Sequence, residues 1–292
     1  MHGNPKRVGF WVGLIAVLLS GAAGATPAAT QDAAWWWDPA WWERGELEVP
    51  ANHPVRTETV SYANGDTEVP AWVARPDDAE NYPAVLFLHG RRGPDDLVRK
   101  HIVRLAARGF VVLAPDAYTA RFIEKFPIEH DYALESDFNA GLDFLLARAD
   151  VSGKRACLYS HTRGGYYALK VAVSFARQND AAACFVSYYP HLQDPNAPEP
   201  MQVYRYATEV DALHIPTLIF VGEQEQYQRK RGIDMAIESL TAKGRPALLV
   251  TYPGVGRGFD FRPSTVRTFA DDLAAKDAIQ RAAILMRQVL VP

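Results

Sequence analysis

The stretch from Ala156 to Val173 constrains this chain most. An apolar run, Ala156-Cys157-Leu158-Tyr159, meets Ser160-His161-Thr162-Arg163-Gly164-Gly165, and a helical run from Tyr166 to Val173 follows at once. A short apolar run bounded by turn residues reads as a strand buried on both faces. The small residues after it let the chain turn sharply from strand to helix. The fold must therefore place a helix directly behind a buried strand.

The same alternation extends along the chain. Residues 57–62 and 68–74 flank Asn64-Gly65-Asp66, a hairpin signal. Residues 84–89 and 110–114 read as buried strands, separated by a helix over 95–108 that Gly109 caps. A helix is expected over 132–149, the turning strand over 155–160 with its helix over 163–178, and a strand over 182–189. Residues 191–200 form a proline-rich loop. Strands 217–221 and 247–252, a helix 226–242 and a last helix from about 264 to 289 complete the series. Such alternation implies right-handed crossovers and a doubly wound, mostly parallel sheet with an antiparallel hairpin at one edge. No internal repeat or second-domain boundary is visible.

The chain has 292 residues, 48% hydrophobic and 22% charged, and its net charge of −3 argues against a nucleic-acid partner. Residues 1–25 read as a signal peptide: Lys6 and Arg7 start it, an apolar stretch follows, and Ala23-Gly24-Ala25 offers a cleavage site. That stretch is short for a membrane span, and the expected destination is the periplasm or cell exterior. Residues 26–54 are a linker and a tryptophan-rich segment. Trp35, Trp36, Trp37, Trp41 and Trp42 could contact a membrane surface or a protein, or clamp the N-terminus onto the domain's own surface. The folded domain is expected over 55–292. Cys157 and Cys184 fall in strands expected to be neighbours, where a bridge looks strained, so two buried free thiols are expected.

Ser160-His161-Thr162-Arg163-Gly164 stands where a nucleophile elbow carries Gly-x-Ser-x-Gly. Leu88-His89-Gly90-Arg91 follows the third strand. Phe220-Val221-Gly222-Glu223-Gln224-Glu225 and Tyr252-Pro253-Gly254-Val255-Gly256-Arg257-Gly258-Phe259 follow later in the chain. Over roughly 55–290, this order of motifs resembles the dienelactone hydrolase branch of the α/β-hydrolases. The resemblance implies an α/β-hydrolase fold, no cofactor, and a nucleophile–acid–base triad acting on carboxylic esters or lactones. By position the triad is Thr162, Glu225 (with Glu223 as second candidate) and Arg257. The oxyanion donors are the backbone N–H groups of Arg91 and Arg163.

Two of these positions carry altered chemistry. The elbow holds its central residue at positive φ, which a β-branched threonine resists, so a relaxed turn is expected, and Ser160 adds bulk where glycine is usual. Arg257 stands where a histidine base belongs, and a guanidinium has no acceptor lone pair. His89 could approach the cleft as a substitute base, His161 should point away from it, and His191 sits on the proline-rich loop. The arginines Arg91, Arg92, Arg163 and Arg257 would rim a cleft suited to an anionic ligand or a protein partner, and Tyr188, Tyr189 and Tyr227 could be its aromatic walls or equally part of the core. Arg257 could equally pair internally with Glu225. No His, Cys, Asp and Glu spacing suggests a metal site, and no phosphate-binding loop appears. Two readings follow: a non-catalytic or weak relative that binds a ligand, or an ester or lactone hydrolase with an unorthodox site.

Overall fold

The computed structural model of the chain describes residues 53–291, so the signal-like and tryptophan-rich segments lie outside the described residues. Strands β1 (Val55–Asn64), β2 (Thr67–Pro76), β3 (Tyr82–Leu88), β4 (Val111–Pro115), β5 (Val151–His161), β6 (Ala182–Tyr188), β7 (Thr217–Gln224) and β8 (Ala247–Gly256) make one sheet. Its spatial order is β1-β2-β4-β3-β5-β6-β7-β8. β1 and β2 form an antiparallel hairpin that joins β4 antiparallel. The remaining pairings are parallel. Gly65, at φ 58°, makes the hairpin turn.

Strands β3, β4 and β6 and the second half of β5 are buried because both faces of the sheet are covered there. On one face Leu86, Leu88, Leu113 and Leu158 pack with Phe138 and Leu142 of α3 (Ala133–Leu146) and Tyr167 of α4 (Gly164–Leu169). On the other, Val85, Phe87, Val112 and Tyr159 meet Ile102 and Leu105 of α1 (Asp96–Ala106) and Ala278, Ala282 and Met286 of α8 (Phe269–Leu290). Alternate residues of each strand feed opposite cores, as the two-residue period requires. Local signals set the helix ends. Asp95 caps α1 by accepting from the N–H groups of Leu97 and Val98, and Gly109 leaves it at φ 85°. Thr268 and Asp271 form a reciprocal capping box that starts α8 at Phe269, beyond the expected 264.

Three expectations change. The helix over 163–178 is instead the six-residue α4, a π-helical turn at Lys170–Ser174 and a left-handed Ala176 at φ 57°. Short helices α2 (Ala117–Ala120), α5 (Glu199–Tyr204) and α6 (Glu209–Ala212) add to the expected series, α5 starting at the end of the proline-rich loop, while α7 (Tyr227–Ala242) lies where expected. Cys157 and Cys184 are bonded rather than free: they are register partners on β5 and β6, with Cα atoms 4.7 Å apart. That spacing lies within the range a disulfide spans. No helix among the described residues is long and apolar enough to cross a membrane.

Candidate active site

The parallel strands end at one edge of the sheet, where open α/β sheets place their ligands. Thr162 follows β5 there, Arg91 follows β3, His191 follows β6, Glu225 follows β7 and Arg257 follows β8. The chain thus gathers five polar side chains from five separate strands.

The elbow keeps its tight geometry. Thr162 sits at φ 52°, so the relaxed turn expected from its β-branched side chain does not form. Backbone hydrogen bonds hold it there. Its N–H donates to Tyr188 O at 3.1 Å, and its carbonyl accepts from Gly165 N at 3.0 Å and His191 N at 2.7 Å. Strain of this kind persists where the surroundings over-determine it. Gly164 is obligatory, since a Cβ there would lie 2.1 Å from Leu88 O. Ser160 is accommodated because its register partner is Ser187, whose Oγ accepts from Ser160 Oγ at 2.7 Å.

The backbone donors are available. Among the described residues neither Arg91 N nor Arg163 N has an acceptor. Each follows directly on one member of the tight Gly90–Thr162 contact, where a Cβ on Gly90 would meet Thr162 Oγ1 at 1.8 Å.

The side chains around Thr162 form a different constellation from a triad. Arg257 Nη1 donates to Glu225 Oε1 at 2.8 Å, and the Glu225 side chain is fully buried. Arg257 Nη2 donates to His191 Nε2, also at 2.8 Å. Because guanidinium can only donate, Nε2 must be the acceptor and the His191 ring must be neutral. Burial, then the charges of Arg229, Arg257, Arg163 and Arg91, hold this imidazole well below its usual pKa. Among the described residues no hydrogen bond reaches Thr162 Oγ1. Glu223 lies outside this network, exposed, and accepts from Gly254 N at 2.8 Å.

Four guanidinium charges therefore act on His191, and Arg257 alone touches its ring. Burial and its neighbours Arg257 and Arg163 lower the Arg229 pKa to about 10. Arg229 donates to the amide oxygens of Gln193 and Gln202. Arg91 donates to the carbonyls of Phe126 and Pro127, and Arg163 to those of Ile128 and Glu129, which fastens residues 126–129 beside the site. Among the described residues only Arg257 of the four has a carboxylate partner.

Other expected residues lie elsewhere. Arg92 pairs with Asp95 at the start of α1 at 2.7 Å. Tyr188 is fully buried on the α1–α8 face of the sheet, stacked on His161, and lines no ligand site. Tyr189 does reach the site, with the Arg257 guanidinium 5.3 Å from its ring centroid, whereas Tyr227 is exposed on α7. His89 is buried among Tyr118, Phe138 and Tyr167, with Nδ1 2.8 Å from Gly90 O. Burial lowers its pKa, and among the described residues no hydrogen bond joins it to Thr162. His161 points away from Thr162 and meets Asp260 at 2.7 Å. Sequence reasoning passed over Arg229, although its place one helical turn beyond Glu225 was a usable signal.

The dienelactone hydrolase family matches residues 69–290. An Escherichia coli protein described as "Putative carboxymethylenebutenolidase" is 26% identical over 246 residues, covering 77% of this chain and 86% of that protein. One of the same description from Methylorubrum extorquens is 25% identical over 238 residues, covering 75% of this chain and 74% of that protein. In fold, the chain resembles the crystal structure of a "Putative Dienelactone Hydrolase" from Klebsiella pneumoniae, with TM-score 0.64 and 22% identity over 81% of this chain and all of that one (100%). It also resembles an esterase from Pyrobaculum calidifontis, with TM-score 0.59 and 20% identity over 83% of this chain and 88% of that one.

Proposed function

The chain belongs to the dienelactone hydrolase family, and on that premise we propose that it binds a small carboxylate-bearing molecule without efficient turnover. One observation carries the reading. Arg91, Arg163 and Arg229 surround the site with no carboxylate partner among the described residues, so a bound anion would supply the missing charge. The relay expected of an esterase is blocked at the same place. Glu225 is committed to Arg257, and the His191 lone pair already accepts from Arg257. Thr162 is left without a base to take its proton.

Export is part of this reading. Lys6, Arg7 and the Ala23-Gly24-Ala25 site support it, and a Cys157–Cys184 bridge suits an oxidising compartment.

Titration calorimetry of the purified protein with acetate, succinate and benzoate tests the proposal. Saturable heat is expected for at least one of them, and Arg229→Gln should weaken that binding about tenfold, the worth of one charged hydrogen bond. No heat with any of the three would contradict the proposal.

A second reading rests on the unpaired N–H groups of Arg91 and Arg163. Backbone donors survive side-chain replacement, so a carboxylic ester or lactone could still be hydrolysed slowly, in keeping with the descriptions of the relatives. Ester turnover that Thr162→Ala abolishes would favour this second reading.

A further inference from the structure

Beneath the elbow, on the face of the sheet away from the cleft, lies a second cluster of ionisable side chains. His101 belongs to α1, His161 directly precedes Thr162, and Asp260 lies three residues after Arg257. The imidazole and carboxyl side chains are each 2% exposed. We propose that these three residues bind a divalent transition-metal ion of the zinc class and that the ion locks the elbow to the Arg257 loop.

The geometry is that of a site rather than of a closed hydrogen-bond network. One ligand atom from each residue, a ring nitrogen of each histidine and a carboxylate oxygen of Asp260, lies within 4.8 Å of the others. His101 Nδ1 has no hydrogen-bond partner although it is buried, and it stands 3.6 Å from Asp260 Oδ2. That distance is too long for a hydrogen bond. It is close to the separation of about 3.3 Å between two ligands sharing a tetrahedral ion with bonds of about 2.0–2.1 Å. His161 Nε2 now meets the same oxygen at 2.7 Å, and a modest opening of that pair admits the ion.

The outer atoms of two ligands are already held. Tyr189 Oη donates to Asp260 Oδ1 at 2.6 Å, and Tyr159 Oη lies 2.6 Å from His101 Nε2. Partners on the far side of a ligand fix its orientation in metal sites generally.

Two imidazole nitrogens and a carboxylate oxygen suit zinc and its borderline neighbours. Zinc takes a fourth ligand, which a water molecule enclosed with the ion would supply. The cluster is closed to solvent, so the ion acts as a clamp and not as a Lewis acid on substrate. Sequence spacing could not show it, because the three residues are brought together from a helix, a strand end and a loop.

The test uses the untagged chain, unfolded in chelator and refolded with Zn2+, then passed into metal-free buffer for elemental analysis. About one equivalent of zinc per chain is expected in the parent, and below about one tenth in His101→Phe. Phenylalanine should keep the aromatic contacts of His101 with Phe87, Tyr159 and Phe261. A refolded parent without zinc overturns the proposal, as does a His101→Phe chain that retains it. If that variant does not fold, Co2+ loading of the parent decides: intense visible bands lost on adding Zn2+ support the site, and only the weak absorption of hydrated Co2+ refutes it. None of these readouts depends on activity or on ligand binding in the cleft, so this proposal and the carboxylate-binding function fail separately.

Discussion

The elbow and the corner around Arg257 sit side by side, yet they have diverged in opposite ways from the pattern their family implies. At the elbow the side chains differ while the backbone is kept: Thr162 holds a positive φ, and two backbone N–H groups stay unpaired beside it. At the Arg257 corner a carboxylate still meets the residue in the base position, but that residue is a cation clamped between Glu225 and His191. Backbone geometry is distributed over many contacts and survives a point replacement. Proton transfer depends on one nitrogen lone pair and does not.

The sharpest way to break this contrast is to restore the lone pair. The double variant Thr162→Ser, Arg257→His should gain about 10³-fold in hydrolysis of an activated ester, the usual worth of a general base. Ser160 need not be changed, because Ser187 already satisfies it. Each single change should give far less, since nucleophile and base act as a unit. A well-folded double variant no faster than its parent would show that the corner has moved as well as changed identity.

The elbow side of the contrast can be broken through Gly164. Gly164→Ala drives a methyl group against the carbonyl of Leu88 and should cost about 3 kcal/mol or more in urea unfolding. At the other corner, Arg257→Leu leaves the buried Glu225 carboxylate without its cation and should cost about 2–3 kcal/mol, because Arg257 is itself 23% exposed. Adding Glu225→Gln to that variant should recover part of the loss. Equal stability of both single variants and the parent would mean that neither region is as constrained as its contacts indicate.

What the sequence disclosed follows the same division. The hairpin, the sheet of buried strands, the elbow and the Glu225 position were legible because each is written in a few consecutive residues. Arg92 was assigned to the cleft, but Asp95, three residues on, caps α1 and captures it locally. Tyr188 was misplaced because strand parity puts it with Cys184 and Val186 on the opposite face. The disulfide depended on the register of β5 against β6, and the His101–His161–Asp260 cluster on the packing of three distant segments. The arginine surplus of the cleft was partly visible, but the place of Arg229 and the burial of His191 emerged only from the packing of α7 and the proline-rich loop.

The smallest expected effect concerns acid stability. The folded chain holds His191 below its unfolded pKa of 6.5, so as pH falls below 6.5 the unfolded chain takes up the proton first. The stability tied to this histidine is fully present above pH 6.5 and is lost on acidification towards the folded pKa. His191→Gln keeps an acceptor for Arg257 and should flatten the acid limb of unfolding free energy against pH by about 1 kcal/mol per pH unit. An unchanged slope would mean that His191 is already protonated in the folded state, contrary to its bond with Arg257.

The central claim is that Thr162 sits in an intact elbow with no base to activate it. Incubation of the purified chain with a fluorophosphonate at neutral pH, read by intact-protein mass spectrometry and peptide mapping, tests this directly. The expected result is an unmodified chain. Stoichiometric phosphonylation of Thr162 would contradict it and would show that some group takes the proton that Arg257 cannot.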